Sequence, residues 1–135
     1  MSVIGSLSMI LLLSQNVNAA DLTVNVSDVE QGKGHLLVAL FEGKDNYNNG
    51  KSVQASKTKA EHAVESIVFK DLAEGEYAVK MYQDENDNDE LDSNMMGIPK
   101  EGYGFSNNVG MFGTPKYKET KFTVKDNTII EIDLF

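Results

Sequence analysis

The chain has 135 residues, one domain's worth, with no room for a second core. It carries 21 acidic against 12 basic side chains, a net charge of −9, which argues against nucleic acid and anionic lipid as partners because phosphate binding needs Lys and Arg. With no cysteine it has neither a disulfide framework nor a thiol nucleophile.

In chain order, the first twenty residues, "MSVIGSLSMILLLSQNVNAA", carry no charged side chain, include the apolar run Met9-Ile10-Leu11-Leu12-Leu13, and end in small residues. Val17-Asn18-Ala19 has the small-x-small form that precedes a cleavage point. The expectation is a secretory signal peptide over 1–19, a single domain over 20–135, and a periplasmic or secreted location. The apolar run is well short of the roughly 20 residues that a spanning helix needs, which favours a cleaved signal over a membrane anchor; no membrane insertion of the mature chain is expected.

The next segment, "DLTVNVSDV", alternates in period two, with Leu22, Val24 and Val26 on one face, the pattern of a half-buried strand. "EQGKG" reads as a turn, and "HLLVALF" as a more fully apolar, central strand. "EGKDNYNNGKS" reads as a loop, "VQASKTK" as a weak strand, "KTKAEHAVES" as room for a helical turn or two, and "AVESIVFKDL" as a firmer strand. "EYAVKMYQ" turns Tyr77, Val79 and Met81 one way and Lys80 the other. Near the end, "TKFTVK", the turn Asp126-Asn127 and "TIIEIDLF" read as a hairpin with Ile130, Ile132 and Leu134 inward. About seven short strands imply an all-β fold, an antiparallel β-sandwich of transthyretin-like or immunoglobulin-like type. One stretch interrupts it. Ser93 to Lys118 shows no convincing alternation but carries glycines, prolines and apolar side chains such as Met95, Ile98, Met111 and Phe112, so one long ordered loop is expected.

Between strand and loop lies "DENDNDELD". Numbered from its first residue, side-chain oxygens fall at positions one, three, five and nine, on Asp84, Asn86, Asn88 and Asp92, while Glu90 at position seven can offer its backbone carbonyl. Alternate residues of a tightly curled backbone converge on one point, and hard oxygens at flexible angles suit calcium better than magnesium or zinc. Carboxylates roughly 6 Å apart repel by about 0.7 kcal/mol even at the dielectric of water, a cost that a divalent cation would reverse. Position six, normally glycine, is Asp89, and position twelve is Met95 rather than glutamate. The pattern is therefore that of a short calcium loop joining strands, not an EF-hand, with Ca²⁺ the expected ion.

The segment "GEYAVKMYQDENDNDELDSNMMGIPKEGYGFSNNVGMFGTPKY" resembles the bacterial exported family catalogued as domain of unknown function 2141. The likeness rests on Asp84, Asn86, Asn88, Leu91 and Asp92, followed by "GIPKEGYGFSNN", and extends to "DLTVNV" and "DLAEGEYAV". Asp87 and Asp89 stand where the family usually has glycine. The resemblance implies an exported single domain and no particular reaction.

Tyr103, Phe105, Asn107 and Phe112 on the long loop are candidate ligand-binding residues, since aromatics on a glycine-rich loop can stack on a protein, a peptide or a carbohydrate. Covering the sandwich edge is the competing role. His35 and His62 stand in no arrangement that suggests a triad. The expectation is an exported, calcium-stabilised β-sandwich acting as a non-enzymatic binding or accessory module. Two alternatives stand beside it. One is a calcium-dependent hydrolase with Lys100, Glu101, Ser106 and Asn107 between the acidic loop and "GYGFSNN"; the other is a structural cell-envelope component.

Overall fold

The structure is a computed structural model that describes residues 19–135; the expected signal peptide lies outside the described residues but for Ala19. Alternation in the sequence becomes alternation in burial. In β1 (Ala20–Ser27) every second residue is buried, Leu22, Val24 and Val26 completely. The other strands are β2 (His35–Glu42), β3 (Gln54–Lys59), β4 (Glu65–Leu72), β5 (Gly75–Asp84), β6 (Tyr103–Phe105), β7 (Phe122–Val124) and β8 (Thr128–Asp133).

They form two facing sheets, one of three strands in the order β4-β1-β8 and one of five in which β3-β2-β5-β6 run side by side. The fifth, β7, also pairs with β5, on Gly75–Tyr77, whereas β6 pairs with Lys80–Tyr82. Between the sheets lies one core, in which Leu22, Val24, Leu36, Leu40, Tyr77, Val79 and Ile132 are sealed from solvent. The β-sandwich expected from the strand pattern is present, and "HLLVALF" is central, flanked by β3 and β5.

Four expectations need correction. The sheets are not wholly antiparallel, because β8 runs parallel to β1 with Leu22 beside Thr128 and Val26 beside Ile132. The C-terminal hairpin does not form either. Val124 and Ile132 both point into the core, but β7 fills the edge of β5 while β8 fills that of β1, so the turn at Asp126-Asn127 carries the chain from one sheet to the other. The Asn127 side chain accepts the Asp21 amide there, at 2.9 Å. The stretch "EGKDNYNNGKS" is not all loop: Gly43–Asn49 is a helix, α1. It buries Tyr47 edge-on against Phe41, and the Tyr47 hydroxyl donates to the Pro115 carbonyl at 2.7 Å, an anchor that short-range propensity does not register. "KTKAEHAVES" forms no helical turn; its first residues end β3 and its last begin β4.

The long excursion after Asp92 is ordered by its own strand. Gly104 of β6 lies so close to β8 that an added Cβ would stand 2.6 Å from Ile132 Cγ2, which explains glycine within "GYGF". A second small cluster, Phe41, Tyr47, Ala78 and Tyr117, lies on the outer face of the larger sheet. It is roofed by α1 and a one-turn helix, α2 (Tyr117–Thr120). No helix among the described residues is long and apolar enough to cross a membrane.

Candidate functional site

The acidic loop hangs from the end of β5. Gln83 and Asp84 are both fully buried there. The Gln83 amide donates to the Glu30 and Lys33 carbonyls, each at 2.8 Å, and accepts the Glu30 amide at 2.9 Å, so one side chain closes the β1–β2 turn against β5. Gly34 ends that turn at φ +62°, where a Cβ would stand 1.8 Å from the Asp84 carbonyl oxygen. Only glycine permits the two backbones to approach this closely.

Beyond this point the chain curls around Asp84. One carboxylate oxygen accepts the Asn88 amide at 3.2 Å and the other the Asp89 amide at 2.7 Å. Asp87 and Asp89 take left-handed backbone, φ +56° and +60°, at the two positions where glycine was the expected residue. Asp87 also meets His35 Nδ1 at 2.6 Å, and Asp89 meets Lys57 Nζ at 3.2 Å, both on the loop's exposed side.

Three of the five expected ion ligands converge through their side chains. Asn86 Nδ2 donates to Asp92 Oδ2 at 2.6 Å, and Asn88 Nδ2 reaches both Asp92 oxygens at 2.8 and 3.1 Å. These amides, Asn88's foremost, hold the Asp92 carboxyl below the usual carboxylate range. Asp84 joins them through the Asn88 backbone, while Glu90 leaves its side chain exposed and donates its amide to Asn88 Oδ1 at 3.0 Å. Among the described residues no three His, Cys, Asp or Glu side chains converge on one point. A cation in the loop would accordingly rest on two carboxylates, amide oxygens and backbone.

Glu101 fixes the loop's base. Buried, it accepts the Glu85 amide at 2.6 Å through one oxygen and the Asp92 amide at 2.8 Å through the other, bracketing the loop's two ends. Sequence reasoning placed Glu101 among polar groups of a hydrolase and missed this role, as it missed that of Gln83. An acidic residue nine positions after an acidic run carries no local signal of what it brackets.

"SNN" proves to be a set of edge seals. Buried Ser106 accepts the Val79 amide at 3.0 Å and donates to the Thr120 carbonyl at 2.6 Å, filling the step between β6 and β7 on the edge of β5. Asn107 donates to the Glu119 and Lys121 carbonyls at 3.0 Å each, and Asn108 accepts the Asp133 amide at 2.8 Å. Ser106 thus gives its proton to a carbonyl and not to a base. Glu101, Ser106 and Asn107 are committed to different backbone groups, and Lys100 is exposed.

The candidate aromatics divide. Phe105 is buried and Tyr103 half-buried, their rings edge-on with centroids 6.3 Å apart, and the Tyr103 hydroxyl donates to the Met111 carbonyl. Phe112 is almost wholly exposed. Tyr103, Phe105, Leu91 and Thr114 are shared by two adjoining hollows of about 580 and 440 Å³. The first runs between Met96-Gly97-Ile98 and Met111-Phe112; the second continues over the outer face of the larger sheet to Lys80. Lys80 Nζ stands 4.0 Å from the Tyr47 ring centroid and 5.1 Å from that of Phe41, and burial lowers its pKa from the ordinary lysine value. Asn107 lines neither hollow.

The family model described as "Uncharacterized protein conserved in bacteria (DUF2141)" matches residues 24–131, and the chain belongs to that family. No curated protein and no solved structure matches the chain.

Proposed function

We propose that this member of the family is an exported, non-enzymatic binding module, whose acidic loop holds a calcium ion and whose apolar groove takes a segment of a peptide or protein partner. The observation that carries the reading is Leu91. It is the eighth residue of the acidic loop, one before Asp92, and it lines both hollows of the groove. Whatever steadies the loop therefore steadies a groove wall.

The chemistry of the loop supports calcium in particular. Asp84, Asn86, Asn88 and Asp92 already gather around one curl, and each Asp84 oxygen keeps a lone pair free after accepting its amide. Asn86 now turns nitrogen toward Asp92, and a half-turn of its amide would present oxygen instead. Two carboxylates make a weak site, in the range of roughly 10⁻⁴ to 10⁻³ M found in extracellular modules. Such a site fits an exported protein, and the uncharged, apolar start of the chain supports export.

A peptide suits the groove better than a carbohydrate does. Its walls are mostly apolar, with Met96, Ile98, Met111 and Phe112 exposed along the rim, whereas sugars need a denser set of hydrogen-bonding groups. Thermal melts of the purified chain test the ion. At 100 times its dissociation constant, calcium should add about 2.7 kcal/mol, which magnesium and chelator do not, and the double variant Asp84→Ala, Asp92→Ala should lose the difference. Identical midpoints in all three conditions would refute the calcium site. Peptide-library panning against the calcium-loaded chain tests the groove: selected peptides should be apolar and should fail to bind Met96→Ser, Phe112→Ser, whereas equal binding to that variant would place the ligand elsewhere.

A further inference from the structure

At the opposite end of β5 from the acidic loop, α1 and α2 enclose a second groove, of about 580 Å³, whose wall is lined by Lys44, Lys116, Lys118 and Lys121. A third of the chain's twelve lysines therefore face one hollow in a molecule of net charge −9. Glu76 also lines the hollow, and two of the nearby carboxylates are engaged. Glu76 pairs with Lys121 at 3.3 Å, and Glu119 accepts the Lys116 backbone amide at 2.9 Å. Among the described residues Lys44, Lys116 and Lys118 have no carboxylate partner. The acidic loop does not neutralise them either. Glu76 and Asp84 are eight residues apart on one strand, roughly 26 Å, well beyond the screening length of about 10 Å at 0.1 M salt.

Tyr117 also lines the hollow, with its hydroxyl sealed from solvent and, alone among the buried side-chain polar atoms of the described residues, without a hydrogen-bond partner. The Gly43 amide, Glu76 and Glu42 lie around it, but none makes a hydrogen bond of ordinary geometry.

We propose that the groove between α1 and α2 is an anion site that takes the phosphate group of a phosphate ester, with Lys44, Lys116 and Lys118 supplying the charge. Lysines are point-charge donors suited to a rotating phosphate, and the hollow has the size of a small-molecule site, with room for the ester's organic part. The acidity of the whole chain weakens long-range steering of an anion but leaves this local field in place. The ester is either soluble or the headgroup of a lipid surface.

Two probes separate these sources: glucose 6-phosphate by calorimetry, and phosphatidylcholine vesicles containing phosphatidic acid by co-sedimentation, at about 20 and 200 mM salt. At least one probe should bind, more weakly at the higher salt, and binding should fall about tenfold in Lys116→Gln, Lys118→Gln while Lys70→Gln, Lys125→Gln leaves it unchanged. Binding of the sugar phosphate assigns a soluble ester, and binding of the vesicles alone a lipid. Absence of binding to both probes, or equal loss in the two lysine pairs, would overturn the proposal.

Discussion

Gly34 and Asp92 show how single residues hold the acidic loop in place. At Gly34 the backbone has φ +62° and the Asp84 carbonyl occupies the space of a Cβ. Gly34→Ala therefore meets both left-handed strain and backbone overlap, and it should destabilise the fold by about 3 kcal/mol in urea denaturation. A cost near zero would mean that the β1–β2 turn moves freely away from β5. Asp92 sets the response to acid. Its carboxyl, held low by the amides of Asn88 and Asn86, titrates in the folded chain below its unfolded value of about 3.9. A carboxylate depressed on folding adds stability that is fully present above the unfolded pKa and is lost as pH falls through the folded one. Melting midpoints followed from pH 6 downwards should therefore drop more steeply below about pH 4 in the parent chain than in Asp92→Asn. Parallel curves would show that the Asn–Asp92 contacts do not survive in solution.

At the scale of elements, the edge of β5 is the part of the fold that depends most on distant contacts. Two three-residue strands, β6 and β7, share it, and the Ser106 hydroxyl fills the step between them. Ser106→Ala leaves the buried Val79 amide and Thr120 carbonyl without that partner and should cost about 1–3 kcal/mol, with faster hydrogen exchange at Val79. Unchanged exchange there would deny the serine its sealing role. The same elements mark the limit of what period-two reading discloses. β1, β2, β4 and β5 were legible because each has one buried face and eight or more residues to display it. β6 was not, because three residues show no period, and "YGF" becomes a strand only through its fit against β5 and β8. α1 was hidden for a related reason: "GKDNYNN" has poor helix propensity, and Tyr47 anchors it by a contact to nearby Phe41 and a hydrogen bond to Pro115, 68 residues along the chain. The parallel partnership of β1 and β8 is likewise decided by which edges remain free, not by either strand's pattern. In the acidic loop Asn86, Asn88 and Asp92 meet through their side chains, while Asp84 accepts the backbone amides of Asn88 and Asp89. Glu101 was visible as a residue but not as a clamp, since its role exists only once Glu85 and Asp92 have been brought together.

Across the whole molecule, β5 separates two charge environments, carboxylates and amides beyond Asp84 and a lysine-lined groove beside Glu76, while the apolar groove lies along the sheet face between Leu91 and Lys80. A calcium ion bound in the loop, as proposed, would act on that groove through Leu91. The most direct test is a calcium titration of the chelator-stripped chain followed by amide and aromatic nuclear magnetic resonance. Saturable shifts are expected at Asp84–Asp92, with smaller coincident ones at Tyr103 and Phe105, and none at equal magnesium. A spectrum unmoved by millimolar calcium, or moved in the loop while Tyr103 and Phe105 stay fixed, would contradict it.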